Sequence, residues 1–167
     1  LELPIVAGGR LVYVSQRKLG EIDILSDPEE YSEKNNIGPD ALNLSRSKFK
    51  ELLKTKRGAL KTALMDQELM SGIGNVYSDE IMFQARIHPK SDVPSLPDDK
   101  LDALYDAVQK SLKTAIEKNV NIDNFPDNFL LPHREQGGKC PGCGGEIKPI
   151  KFSGRRGFYC PECQKKY

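Results

Sequence analysis

Apolar residues recur at three- and four-residue spacing through residues 98–118, at Leu101, Leu104, Tyr105, Val108, Leu112, Ala115 and Ile116. That period predicts a long amphipathic helix, acidic at its start and basic at its end, as the helix dipole favours. A shorter stripe of Phe49, Leu52 and Leu53 predicts a helix over 48–54, capped by Ser45 or Ser47. Between the two lies KTALMDQELMSGIGNVYSDEIMFQARIHP, residues 61–89. It reads as a helix, a reversal broken by Gly72 and Gly74, and a second helix with Asn75 as its N-cap. Val76, Ile81, Met82 and Phe83 supply the apolar stripe of that second helix, and Asp79 and Glu80 read as acids placed to suit its dipole. Such a reversal leaves free backbone N–H groups at a helix N-terminus, which suit an anion.

Period-two alternation appears only near the start. Residues 11–14 and 21–24 read as short strands, followed by a linker broken at Asp27-Pro28 and Gly38-Pro39. Two or three strands make a poor sheet alone, so this segment is expected to be the remnant of a larger β domain. The fold class expected is mainly α with small β parts, and no internal repeat appears. Three regions follow: a β remnant and linker over 1–39, a helical body over 40–132, and a small module over 133–167.

Charge changes the picture locally. The net charge is only +1, so global charge names no partner. Residues 46–61 carry seven basic side chains against one acid, Glu51, and residues 134–167 carry eight against three. One basic face or solvated helix surfaces both account for such runs. No apolar run approaches the roughly 18 residues that a membrane span needs, and no signal peptide is visible.

All four cysteines lie near the C-terminus, as Cys140-x2-Cys143-x16-Cys160-x2-Cys163. The spacing falls in the window for a four-thiolate zinc site in a reducing, cytoplasmic setting. An iron or iron–sulfur centre and a pair of disulfides are the competing readings. Residues 147–150 and 158–159 read as two strands of a hairpin with its tip at 153–157, where Arg155 and Arg156 are candidates for phosphate contacts. His88 and His133 are not needed as ligands, since four thiolates complete a tetrahedron.

These motifs together resemble the C-terminal half of the formamidopyrimidine-DNA glycosylase and endonuclease VIII family. The carriers are Leu60-Lys61-Thr62 with Asp66-Gln67, then Gly72-Ile73-Gly74-Asn75-Val76-Tyr77, Asp79-Glu80 and Ile87-His88-Pro89, joined by the cysteine spacing and Phe158-Tyr159-Cys160. The resemblance implies a helix-two-turn-helix DNA-binding domain plus a hairpin holding one structural Zn2+. It implies a monomer that holds double-stranded DNA with a damaged base or abasic site, and that serves base excision. By position, Asn75 and Arg155 match the family residues that grip phosphates beside the flipped nucleotide, and Lys61 is a further candidate for a backbone contact. Gly72 and Gly74 shape the turn, and Arg156 flanks Arg155. Arg17 aligns with the arginine inserted toward the orphaned base, and Leu19 stands where a phenylalanine wedge is usual.

The sequence departs from the family in two places. The nucleophile of the family is the amine of an N-terminal proline, acting beside a glutamate, whereas this chain begins Leu1-Glu2-Leu3-Pro4. The expectation is a DNA-binding part of a glycosylase/AP lyase, without chemistry of its own. A non-enzymatic nucleic-acid-binding protein made of the same two modules is the alternative, and a zinc-ribbon adaptor would leave residues 72–75 unexplained. The usual tyrosine-glycine-arginine lead into the first cysteine reads Pro132-His133-Arg134-Glu135, so lesion preference does not carry over.

Overall fold

The computed structural model describes residues 2–4, 8–14, 22 and 24–167, which fall into two units divided between Tyr31 and Ser32. In the first unit, β1 (Glu2–Pro4) pairs antiparallel with β2 (Arg10–Val12), Glu2 opposite Val12, and all six residues are exposed. The strand expected over 11–14 therefore ends at Val12. The second expected strand, over 21–24, lies partly outside the described residues, and Arg17 and Leu19 lie wholly outside them. The division falls inside α1 (Pro28–Lys34), which has no buried residue.

The second unit is built on helices. In α2 (Arg46–Lys54), Ser45 is the N-cap, accepting from the Lys48 N–H at 3.3 Å, and Phe49 and Leu53 are buried. α3 (Leu60–Leu64) is short and almost entirely buried, and α4 (Asn75–Gln84) follows the reversal. α5 (Asp98–Glu117) buries Leu101, Leu104, Ala107, Val108 and Leu112 against α2 and α4. Its predicted stripe holds except at Ile116, which is exposed.

The basic run over 46–61 does not form an open positive face. Arg46 bridges Asp106 at 2.6 Å, Lys50 bridges Asp98 and Asp102 at 3.1 Å, and Lys54 bridges Asp98 at 2.8 Å. The acidic first half of α5 thus neutralises the basic face of α2. Lys48 pairs with Glu51, Lys56 with Asp66 and Lys61 with Asp79. Among the described residues, Arg57 alone of the seven cations has no ion pair, and its guanidinium leans on the carbonyls of Lys54 and Lys56. Each exposed pair contributes little to stability, at most about 1 kcal/mol. Their larger effect is to cancel charge.

At the C-terminus, β3 (Lys148–Phe152) and β4 (Arg155–Tyr159) form an antiparallel hairpin longer than the sequence pattern suggests. Its tip is the pair Ser153-Gly154, both at positive φ, which is the hairpin turn that matches strand twist. The module packs against the helical body. Phe83 of α4 shares a buried cluster with Leu130, Cys140, Ile147, Phe158 and Cys160. The tail then sews itself to the helical body, with His88 N donating to the Lys165 carbonyl at 2.8 Å and Asp92 N to the Tyr167 carbonyl at 3.0 Å. Among the described residues, no helix is long and apolar enough to cross a membrane.

Candidate nucleic-acid interface

The reversal between α3 and α4 spans residues 65–74 and is braced by two side chains. Asp66 Oδ1 accepts from Glu68 N at 3.1 Å, while Gln67 donates to the Met65 and Ile73 carbonyls and accepts from Gly72 N at 3.2 Å. Gly72 sits at φ +95°, where a side chain would be strained. Gly74 is extended, at φ −101° and ψ −176°, so no conformational demand selects it. It is the N-cap of α4, and Asn75, expected there, is the first helical residue. A Cβ at Gly74 would meet nothing within 4 Å, so its missing side chain leaves the backbone open to approach. The cap supplies no side-chain acceptor, so the first N–H groups of α4 stay available for an anion.

One turn further on, α4 carries Asp79 and Glu80, the two acids that the sequence pattern assigns to its dipole. Both are completely buried. Asp79 Oδ1 accepts from Lys61 Nζ at 2.6 Å, and Oδ2 accepts from Arg134 Nε at 2.9 Å, Arg134 Nη2 at 2.7 Å and the Phe158 N–H at 3.0 Å. Glu80 accepts from Leu131 N at 2.8 Å and Gln84 Nε2 at 2.7 Å, and burial holds its carboxyl above the usual range. Each acid fastens a different part of the chain to α4: the ribbon by Asp79, and the irregular lead into it by Glu80.

Lys61 is corrected by the same geometry. Its side chain is entirely buried and its ammonium is spent on Asp79, on Ser78 Oγ at 2.7 Å and on the Asn75 carbonyl at 3.0 Å. Burial pushes its pKa down, against the opposing pull of Asp79. In this position it organises the first turn of α4 from beneath and presents no charge to a surface.

The hairpin reaches the same place from the other side. Asn75 Nδ2 donates to the Arg156 carbonyl at 2.9 Å, and Asn75 Oδ1 is buried without a partner among the described residues. Arg156 itself bonds the Gln136 side chain at 2.5 Å and lies 5.1 Å from the Phe158 ring centroid. Arg134 lies 5.0 Å from the same centroid. Arg155, next to the tip, is exposed and has no ion-pair partner among the described residues. Asn75 therefore joins the open α4 terminus, through the Arg156 carbonyl, to the strand that carries Arg155. Arg134, Asp79 and Phe158 were missed as a unit. Asp79 and Phe158 stand among the motif residues, but nothing in the sequence joins them to Arg134, a lone arginine in an irregular, glycine-rich stretch.

The metal centre is compact. All four Sγ atoms lie within 4.8 Å of one another, with Cys140–Cys163 at 3.7 Å and Cys143–Cys160 at 3.5 Å. A tetrahedron with Zn–S bonds of about 2.3 Å has edges of about 3.8 Å, so these residues fit one Zn2+. The N–H groups of Gly142, Gly145 and Cys163 point at the sulfurs of Cys140, Cys143 and Cys160, each at 3.4 Å. Such contacts stabilise and orient thiolates. Burial and the neighbouring thiols push the Cys163 pKa up, so a metal-free cluster keeps protons that a cation must displace. Four thiolates leave no open position, which makes the role of the ion structural.

A helix-two-turn-helix body fastened to a four-cysteine zinc ribbon defines a class of nucleic-acid-processing proteins. Family comparison agrees. Residues 37–125 match the formamidopyrimidine-DNA glycosylase H2TH domain, and residues 137–166 match the zinc finger found in FPG and IleRS. The chain belongs to the formamidopyrimidine-DNA glycosylase family. It is 34% identical to the formamidopyrimidine-DNA glycosylase of Arabidopsis thaliana across 96% of its own length and 42% of that protein. Against the Lactococcus lactis enzyme the identity is 31%, across 96% of this chain and 64% of the relative. The chain thus spans roughly two fifths to two thirds of these relatives. Among solved structures, the L. lactis Fpg in complex with abasic-site DNA superposes with a TM-score of 0.82 at 30% identity, covering 96% of this chain and 64% of that one. A MutM structure with DNA containing carbocyclic 8-oxo-G gives 0.82 at 29% identity, covering 96% and 63%.

Proposed function

We propose that this chain is the damaged-DNA-binding part of a base-excision DNA glycosylase/AP lyase, gripping one strand of a duplex between the α4 N-terminus and the ribbon hairpin. The observation that carries this reading is the Asn75–Arg156 hydrogen bond. It supports a single edge made of the open helix N–H groups and Arg155, which has no ion pair among the described residues. Phosphates suit that edge, because backbone donors and a guanidinium both bind oxyanions. Among the described residues, the apolar clusters and the neutralised α2–α5 face offer no comparable site. The solved relatives, whose partners are abasic-site and lesion-containing DNA, support a duplex bearing such damage as the ligand. Gly72 shapes the turn, Gly74 allows close approach of the backbone, Asn75 and Arg155 contact phosphate, and Arg156 aims Asn75. Lys61 acts on the strand only through Asn75. Zinc thiolates suit a reducing compartment, so the reading places the protein in the cytoplasm, on the nucleoid if the source is prokaryotic.

The test is equilibrium binding of a labelled abasic-site duplex across a salt series. Arg155→Ala is expected to weaken binding roughly tenfold or more, since a charge-assisted hydrogen bond is lost. It should also lower the salt slope by about one, as for one phosphate contact. Unchanged affinity and slope would reject the assignment of Arg155.

A further inference from the structure

We infer that Asp79 is a positioning residue that sets the register of the zinc hairpin on α4 and so couples metal binding to the grip on DNA. The inference deepens the proposed duplex-binding reading and rests on it. Its basis is a match of two periodicities. Asn75 and Asp79 stand four residues apart on α4, hence on one face. Their partners on β4, the Arg156 carbonyl and the Phe158 N–H, stand two residues apart, hence along one edge of a strand. Four helical residues rise about 6 Å and two strand residues about 6.7 Å, so both bonds form together, and a slip of one residue would turn these backbone groups toward β3 and break both. The next residue in that series is Cys160, a zinc ligand whose N–H is held by Gln164 Oε1 at 2.8 Å.

β4 is therefore fixed at three successive points: by Asn75 near the tip, by Asp79 at its middle and by zinc at its end. Between the first two, a Cβ on Gly157 would sit 2.8 Å from Asp79 Oδ1 and 3.2 Å from Lys61 Cε, so the strand lies directly against the buried pair. Arg134 clamps the arrangement with two bonds to Asp79 and its guanidinium 5.0 Å from the Phe158 centroid. No part of Asp79 is exposed, so it touches no ligand itself. It acts by holding Arg155 and Cys160 in place at the same time.

The experiment is a double-mutant cycle on the full chain. Arg155→Ala is measured in the wild-type and Asp79→Asn backgrounds, with affinity for an abasic-site duplex as one readout. Zinc transfer to a colorimetric chelator is the other. Asparagine keeps an acceptor for Phe158 while removing the charge that holds Lys61 and Arg134. The roughly tenfold cost of Arg155→Ala should shrink to less than about threefold in the Asp79→Asn background, and that variant should yield zinc at lower chelator concentration. If Asp79→Asn fails to fold, Arg134→Met is the second variant. It removes the clamp, leaves the Lys61–Asp79 pair neutral, and carries the same two expectations. Equal costs of Arg155→Ala in both backgrounds, together with unchanged zinc transfer, overturn the inference while leaving the duplex reading intact. A wild-type chain that ignores the duplex, with a variant that still surrenders zinc early, overturns the duplex reading and leaves the register argument standing.

Discussion

Removing zinc is expected to unfold residues 139–166 and leave most of the helical body folded. The hairpin has little to hold it without the metal. Its two strands are five residues each, and only three of those ten residues are buried. A ribbon of this size cannot bury enough apolar surface to offset its chain entropy. Zinc binding by comparable finger peptides supplies about 10–16 kcal/mol, which is also their folding free energy. The helical body has its own core, built from α2 to α5 around Phe49, Leu53, Leu64, Ile81, Met82 and Leu104, so it should survive. The shared packing adds a second effect. Phe83 loses its partners in the ribbon and the tail loses its anchor, so the remaining body should melt at a lower temperature. Amide spectra with and without chelator check this: hairpin resonances should collapse while α5 resonances persist. A hairpin that keeps its dispersion in metal-free protein would contradict the account.

Asp79→Ala is expected to cost about 3–5 kcal/mol, the penalty for leaving buried charge without its partner. The loss strands two cations at once, because Lys61 is fully buried and Arg134 largely so. It also orphans the Phe158 N–H. Urea unfolding of wild type and variant, both loaded with zinc, measures the difference directly. A cost below about 1 kcal/mol, the range of an exposed pair, would show that the network is solvent-screened and carries no structural demand.

Why these two sites differ in legibility is a matter of range. The zinc ligands could be read from the sequence because both knuckles are local, and sixteen intervening residues set only the length of the hairpin. The α5 stripe was equally readable, since a helix displays its buried face at fixed spacing. The role of Asp79 was not. Its partners come from Lys61, Arg134 and Phe158, and nothing in the local pattern of α4 separates a buried acid from one that serves the dipole. Six consecutive residues of that helix, from Ser78 to Phe83, are buried, so it shows no amphipathic period at all. The basic run over 46–61 left two readings open for the same reason: the aspartates that cancel it lie some fifty residues on, in the first half of α5. Asn75 was displaced from the cap by a single position, because Gly74 adopts the extended cap geometry without a side chain. What the sequence could not place was the meeting of Asn75 with the hairpin tip, which depends on the packing of β4 against α4.

The central claim is that the DNA-facing edge consists of the α4 N-terminus and the hairpin tip together, and that α2 takes no part. Mapping amide shift changes on titration with an abasic-site duplex tests it most directly. The account predicts that Gly72, Gly74, Asn75 and Val76 move together with Ser153, Gly154 and Arg155, while Arg46, Lys50 and Lys54 stay still in their pairs with α5. Shifts concentrated on α2, with the hairpin tip unmoved, would contradict it.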